Sequence, residues 1–322
     1  MNRLTLGIVG LLAGIALIAG QLLTHDAGAV FTLLADNALG IVLVSMFHLL
    51  PIAFDSIAWQ RLCPPALGPW RCLELGWIGQ SVNALLPVAQ VGGDVLRAVL
   101  AAGTIPAATA VASVIIDLSL AALTQGLFTL LGIALLLSVP ASDLSGELEW
   151  LGWAVLAITI MTLALLVAIF AQHGGLFAKL TGLLSRAFQG PKLQRLSAHG
   201  ESLDIALRAG WRDLHALARA STWRSAGWLI GSGEIWLGLW FLGHPVGLLE
   251  AVLLESLVQA ARSAAFFMPG GLGVQEGGYL LIGALLGIDA EVLLALGLMK
   301  RATHLLTGLP ALLWLARIRT RH

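Results

Sequence analysis

Seven ionisable side chains stand where the surrounding sequence is oil-like: Asp55, Asp117, Glu234, Glu255, Arg262, Lys300 and Arg301, with His304 close behind the last two. A charge at the centre of a membrane helix costs roughly 2.5–3.5 kcal/mol even on the lenient insertion scale. Several of them facing lipid would cancel the insertion energy of a span, so they must turn inward, pair, or lie nearer the membrane surface. Spacing supports this. Glu255, Gln259 and Arg262 recur at i, i+4 and i+7, Lys300 and His304 at i and i+4, and His48 and Asp55 lie seven apart, so each set shares one helix face. Two kinds of chemistry are open to such a network. Arg262, Lys300 and Arg301 suit an anionic or zwitterionic group, while buried carboxylates such as Asp117 and Glu234 suit proton binding. Ion pairing between helices with no ligand is the plain alternative. No catalytic residue or metal ligand set is assigned, because the chain has no Gly-x-Ser-x-Gly elbow, no His-Glu-x-x-His and no P-loop.

Two interruptions carry a second set of candidates. The first reads Leu86-Pro87-Val88-Ala89-Gln90-Val91-Gly92-Gly93-Asp94 and continues to Arg97; the second reads Met268-Pro269-Gly270-Gly271-Leu272-Gly273-Val274-Gln275-Glu276. Each joins two short apolar pieces, and each has a proline, a glycine pair, a glutamine and an acid. Proline removes a backbone donor and disfavours helix just before it, and glycine permits positive φ and close approach. Broken backbone at membrane depth is tolerated only where protein or a water-filled cavity surrounds it. Paired breaks in two halves of a chain point to a substrate site between them. Candidate binding residues are therefore Gln90, Gly92, Gly93, Asp94, Arg97, Pro269, Gly270, Gly271, Gly273, Gln275, Glu276, Lys300 and Arg301. Two turns that merely need glycine remain the alternative.

The elements that must hold these residues follow from composition. Of 322 residues, 58% are hydrophobic and 11% charged, against roughly 25% charged in soluble domains; the mean hydropathy is +0.90. The apolar runs are continuous rather than alternating, which predicts helices and excludes a barrel. The expected fold is all-α, a polytopic membrane helical bundle. A bilayer core about 30 Å thick needs roughly 20 apolar residues per helix. Eight spans are expected, near residues 4–23, 38–59, 105–139, 150–171, 226–242, 246–267, 277–288 and 292–315. The pieces 70–87 and 91–102 are too short to cross. The first run is uncharged for longer than a cleavable leader, so it is expected to stay as a span.

Residues 172–225 are the most polar stretch, and Leu203, Ala206, Leu207, Trp211 and Leu214 recur there at helical spacing, which predicts an amphipathic helix. The chain is expected to form one membrane domain, 1–322, with half-repeats 1–171 and 226–322 joined by that basic segment. Lys and Arg cluster in this segment, at Arg3 and at Arg317, Arg319 and Arg321, whereas the loops near residues 26–36, 143–149 and 289–291 carry acids only. Both termini are therefore expected in the cytoplasm. Cys63 and Cys72 match no zinc or redox spacing. No cofactor and no nucleic-acid partner is indicated.

The segments 80–97 and 269–278, with Lys300-Arg301 in the final span, resemble the flippase-like family of lysylphosphatidylglycerol synthase transmembrane regions. The carriers are the Leu-Pro stretch leading to Gly92-Gly93-Asp94 and Arg97, the run Pro269-x-Gly271-x-Gly273-x-x-Glu276, and the basic pair in the last helix. The wording looks closest to a hopanoid-biosynthesis-associated subgroup. The resemblance implies a multi-pass protein of a bacterial inner membrane that moves or hands over a lipid, be it a hopanoid, an isoprenoid lipid or a phospholipid, with biosynthetic membrane enzymes as partners. It makes Asp94, Arg97, Glu276 and Arg301 candidate functional positions. No aminoacyl-transfer domain is recognisable, so lysyl transfer is not implied. The rival expectations are a membrane transferase acting on an isoprenoid lipid and a non-transporting scaffold.

Overall fold

The computed structural model describes residues 3–86, 91–138, 191–265 and 268–319. Among these the regular structure is entirely helical, with no strand. Helix α1 (Arg3–Thr24) leads into α2 (Ala27–Asp36) through a bend of 99°. The single uninterrupted span expected at 4–23 therefore ends in a sharp turn. Apolar residues continue on both sides of it, and the cause of the stop is local: the Asp26 side chain caps α2 by accepting from the Ala29 N–H at 3.0 Å, and the His25 ring bonds back to the Gln21 carbonyl.

Helices α3 (Ala38–Phe47) and α4 (Leu49–Gln60) are two pieces of one crossing path of 23 residues. The joint is His48. Pro51 has no N–H to return to the preceding turn, and the next bond across the joint, from Ile52 N to the His48 carbonyl, stretches to 3.5 Å. A short 3₁₀ turn, Pro65–Leu67, precedes α5 (Pro69–Leu85). Helix α5 and α6 (Gly92–Ala101) are the two short pieces flanking the first interruption. They pack backbone to backbone, since a Cβ on Gly93 would run into the Gly79 carbonyl. Small residues at helix crossings allow this approach.

Helix α7 (Ala107–Leu137) is long and apolar. Helix α8 (Pro191–Arg212) holds the expected amphipathic stretch, and its apolar face is covered by protein: Leu203, Ala206, Leu207 and Trp211 cluster with Ala112, Ile116 and Leu120 of α7. Helix α9 (Leu214–Phe241) starts at an Asp213 cap on the Ala216 N–H. Helix α10 (Leu248–Ala264) follows. The second interruption is a 3₁₀ turn, Pro269–Gly271, before α11 (Val274–Ala284), and α12 (Ala290–Arg319) closes the bundle. The largest apolar core joins α9, α10, α11 and α12 through Ile235, Leu239, Leu254, Tyr279, Leu293 and Met299.

Among the described residues, three helical paths are long and apolar enough to cross a membrane: Ala38–Gln60, Ala107–Leu137 and Ala290–Ile318. The bent pair Gly10–Thr24 with Ala27–Asp36 makes a fourth if it counts as one. The expected span at 150–171 lies outside the described residues. The one expected at 226–242 sits within α9, whose 28 residues include Arg219, Arg224 and Glu234. The one at 246–267 is a helix of only 17 residues. Helix α12 shows the inside-out pattern of a membrane protein. Lys300, Thr303 and Thr307 are buried, while Leu305, Leu306, Leu309 and Leu313 are exposed.

Candidate functional site

The ionisable residues fall into three connected clusters. In the first, Asp117 of α7 receives both guanidinium groups nearby, from Arg97 at 2.8 Å and from Arg224 of α9. Arg97 also reaches Asp94 at 3.0 Å, one helical turn away, and lies 4.5 Å over the Trp59 ring. Arg224 also reaches Asp55 at 3.1 Å, and Gln80 donates to the other oxygen of Asp55 at 2.9 Å. Asn83 locks the start of α6 onto α5. Its oxygen accepts from the Gly93 N–H at 2.7 Å and its amide donates to Asp94 at 2.9 Å. The close packing, not that N–H, is what requires glycine at position 93.

The second cluster centres on Glu234 of α9. His48, placed at the α3–α4 joint, lies 2.8 Å from one oxygen, and Lys300 donates to the other at 3.0 Å. Lys300 also lies 3.5 Å from Glu255, which accepts from the Tyr279 hydroxyl at 3.3 Å. His304 meets His48 edge to face, with ring centres 5.3 Å apart.

The third cluster is built on the second interruption. Gly270, Gly271 and Gly273 adopt positive φ of 58°, 63° and 77°, which only glycine takes at little strain. Their geometry turns the Gly270 and Gly271 carbonyls toward Arg301, which donates to both. Arg301 also donates to Glu276 at 2.7 Å, and Glu276 accepts from the Gly273 N–H at 2.8 Å. Glu276 thereby caps the start of α11 and holds the arginine with one side chain. Helix α1 backs this region, since Gln21 donates to the Gly273 carbonyl at 3.1 Å.

A polar cavity of about 220 Å³ lies between the first and second clusters. Asp55, Gln80 and Asn83 face it from one side; Glu234, Glu255, Arg262, Lys300, His48 and His304 face it from the other. Gly227, Gly231 and Gly308 line it and leave it open. Arg262 is the cation that stands apart. Among the described residues its one polar partner is the Gln259 side-chain oxygen at 3.2 Å and it forms no ion pair; its Nε, like those of Arg97 and Arg224, has no partner there. Elsewhere on the wall Lys300 is shared between two glutamates.

The sequence-derived candidates therefore separate into two groups. Asp55, Glu234, Glu255, Arg262, Lys300 and His304 line the cavity; Gly92, Gly93, Asp94, Arg97, Asp117, Gly270, Gly271, Gly273, Glu276 and Arg301 are not on its wall and instead hold the helices that form it. Gln275 is buried away from the cavity with neither side-chain polar atom partnered. Pro269 opens the 3₁₀ turn, and Gln90 lies outside the described residues. Arg224 was not singled out by sequence, because it reads as one more basic loop residue. Its signal is periodic. Arg224, Gly227, Gly231 and Glu234 fall at offsets of 3, 7 and 10 on α9, one helical face. Cys63 and Cys72 are free thiols.

No curated protein and no solved structure matches the chain. A family model does, over residues 7–311. That stretch holds both interruptions, all three charge clusters and every residue of the cavity wall. By this match the protein belongs to the family of the lysylphosphatidylglycerol synthase TM region, a membrane family whose name ties it to lipid.

Proposed function

We propose that the cavity receives the headgroup of a membrane lipid, and that the protein moves or hands over that lipid as a translocase or transfer factor. The observation that carries the reading is Arg262, a guanidinium facing a polar cavity without a carboxylate of its own. Burying an unpaired charge is expensive, so a wall that keeps one suits an incoming anion. Size supports a headgroup rather than a whole lipid: about 220 Å³ falls below the roughly 300–1,000 Å³ of pockets that enclose drug-sized ligands. The acyl or polycyclic part would stay in the bilayer. Without such a path, each polar group crossing hydrocarbon loses its water hydrogen bonds at several kcal/mol. The Lys and Arg distribution supports a multi-pass protein of a bacterial inner membrane with both termini cytoplasmic. A hopanoid role rests on motif wording alone. The pairing of the two interruptions supports half-repeats, and biosynthetic membrane enzymes are natural partners for a lipid carrier.

Reconstitution in liposomes with labelled lipids tests this. The wild-type protein is expected to accelerate leaflet exchange of at least one phosphate-bearing lipid. Arg262→Gln should reduce that exchange at least tenfold with little change in thermal stability, because it strands no carboxylate. Gly231→Leu should do the same by filling the cavity; a Cβ there meets nothing nearer than Pro51 at 4.0 Å. Exchange by neither wild type nor variants, for any labelled lipid, would move the balance to a scaffold.

A further inference from the structure

The three clusters contain six carboxylates and four permanent cations, and Arg262 beside the second makes a fifth. Glu276 is matched by Arg301; Glu234 and Glu255 share Lys300, and Arg262 on the same cavity wall balances that group in net charge without pairing to either. The surplus falls in the first cluster, where Asp55, Asp94 and Asp117 share only Arg97 and Arg224. A buried surplus charge is costly, and a carboxylate relieves it by taking a proton. The three aspartates are not equivalent. Asp117 takes both guanidiniums and is 3% exposed, and Asp94 is held by Arg97 and Asn83 at 15%. Asp55 is 30% exposed and lies on the cavity wall.

We infer that Asp55 is a proton-binding site opening on the cavity. Its partners suit both states. Charged, it accepts from Gln80 Nε2 and from Arg224. Protonated at the oxygen facing Gln80, it can donate to the Gln80 carbonyl once that amide turns over, since an amide offers a donor and an acceptor at opposite corners. Arginine offers no such exchange. Arg224 then keeps Asp117 as its counter-ion. The other charged groups acting on Asp55 are Arg97 from α6 and Asp117 from α7. Across the cavity stand Glu234, Glu255, Arg262 and Lys300, with His48 and His304. The rival proton sites are Glu255 and the histidines. Glu255 lines the same cavity but is held by Lys300 and the Tyr279 hydroxyl, and His48 already shares Glu234 with Lys300, so a second positive charge there would leave the second cluster in excess. A consequence follows that rests on the headgroup reading: an anion beside Arg262 adds negative charge to the cavity and favours the proton on Asp55. Headgroup and proton would then bind as a neutral pair, the form that crosses a low-dielectric interior at least cost.

Infrared spectra of the purified protein in detergent test the site without any lipid. At neutral pH exposed carboxyls are ionised, so the C=O stretch of a carboxylic acid reports a buried proton. The band should be present in wild type, absent in Asp55→Asn, and kept in Asp94→Asn and Glu255→Gln. No band in wild type, or a band that persists in Asp55→Asn, overturns the assignment. Mixed micelles containing phosphatidylglycerol then test the coupling. Binding that depends on Arg262 should strengthen the band and take up to one proton per lipid from weakly buffered solution, with no uptake by Asp55→Asn. Arg262-dependent binding with no change in the band overturns the coupling. An intact, Asp55-dependent band with no lipid bound supports the proton site by itself while removing the headgroup reading.

Discussion

Replacing Glu276 by alanine is expected to lower the unfolding free energy by about 3–5 kcal/mol, the range for breaking a buried pair by removing one partner. Three losses coincide. Arg301 keeps its charge but loses its only carboxylate, with which it makes contacts of 2.7 and 3.2 Å. The Gly273 N–H loses its acceptor at the start of α11. A void opens against Gly297, whose Cα packs on the Glu276 side chain. Glu276→Gln keeps a carbonyl acceptor for one of these bonds and should lose less. Adding Arg301→Ala to Glu276→Ala should then cost much less than Arg301→Ala does alone, because the stranded charge is gone. Thermal or denaturant unfolding in detergent measures the cycle, and simply additive losses would refute the coupling.

Asp117→Asn should be the second severe lesion, on the order of 3 kcal/mol by the same reasoning. Asp117 is where two guanidiniums from different helices converge, and the amide that replaces it can serve only one of them with an oxygen. The loss is tempered because Arg97 retains Asp94 and Arg224 retains Asp55. Asp94→Asn, which leaves Arg97 on Asp117, should cost clearly less. The ranking Glu276→Ala, Asp117→Asn, Asp94→Asn is therefore the expected order of falling damage. Equal unfolding midpoints for the last two would mean that convergence at Asp117 contributes nothing.

Much of the fold was legible from the length of the apolar runs. The last helix was expected over 292–315 and occupies Ala290–Arg319, running through even Pro310. The bend after Thr24 was not legible. Only one capping aspartate marks it, and a hydropathy window averages that residue with its apolar neighbours. The start of α9 was missed by twelve residues for a related reason: Arg224 counts as solvated in any scale, yet here it is 6% exposed and bonded to two aspartates. Helical spacing put Glu255, Gln259 and Arg262 on one face, and all three line the cavity. It could not say which faces meet. That choice depends on glycines letting backbones touch, such as Gly79 with Gly93, and on contacts between residues more than a hundred positions apart, as for His48 with Glu234.

The 3₁₀ turn at Pro269–Gly271 does not hang free. A Cβ added to Gly270 would come within 2.8 Å of the carbonyl oxygen of Ala84, near the end of α5. The tip of one broken segment thus bears directly on the stem of the other. A displacement that begins at either is passed to its counterpart by contact, with no intervening side chain to absorb it.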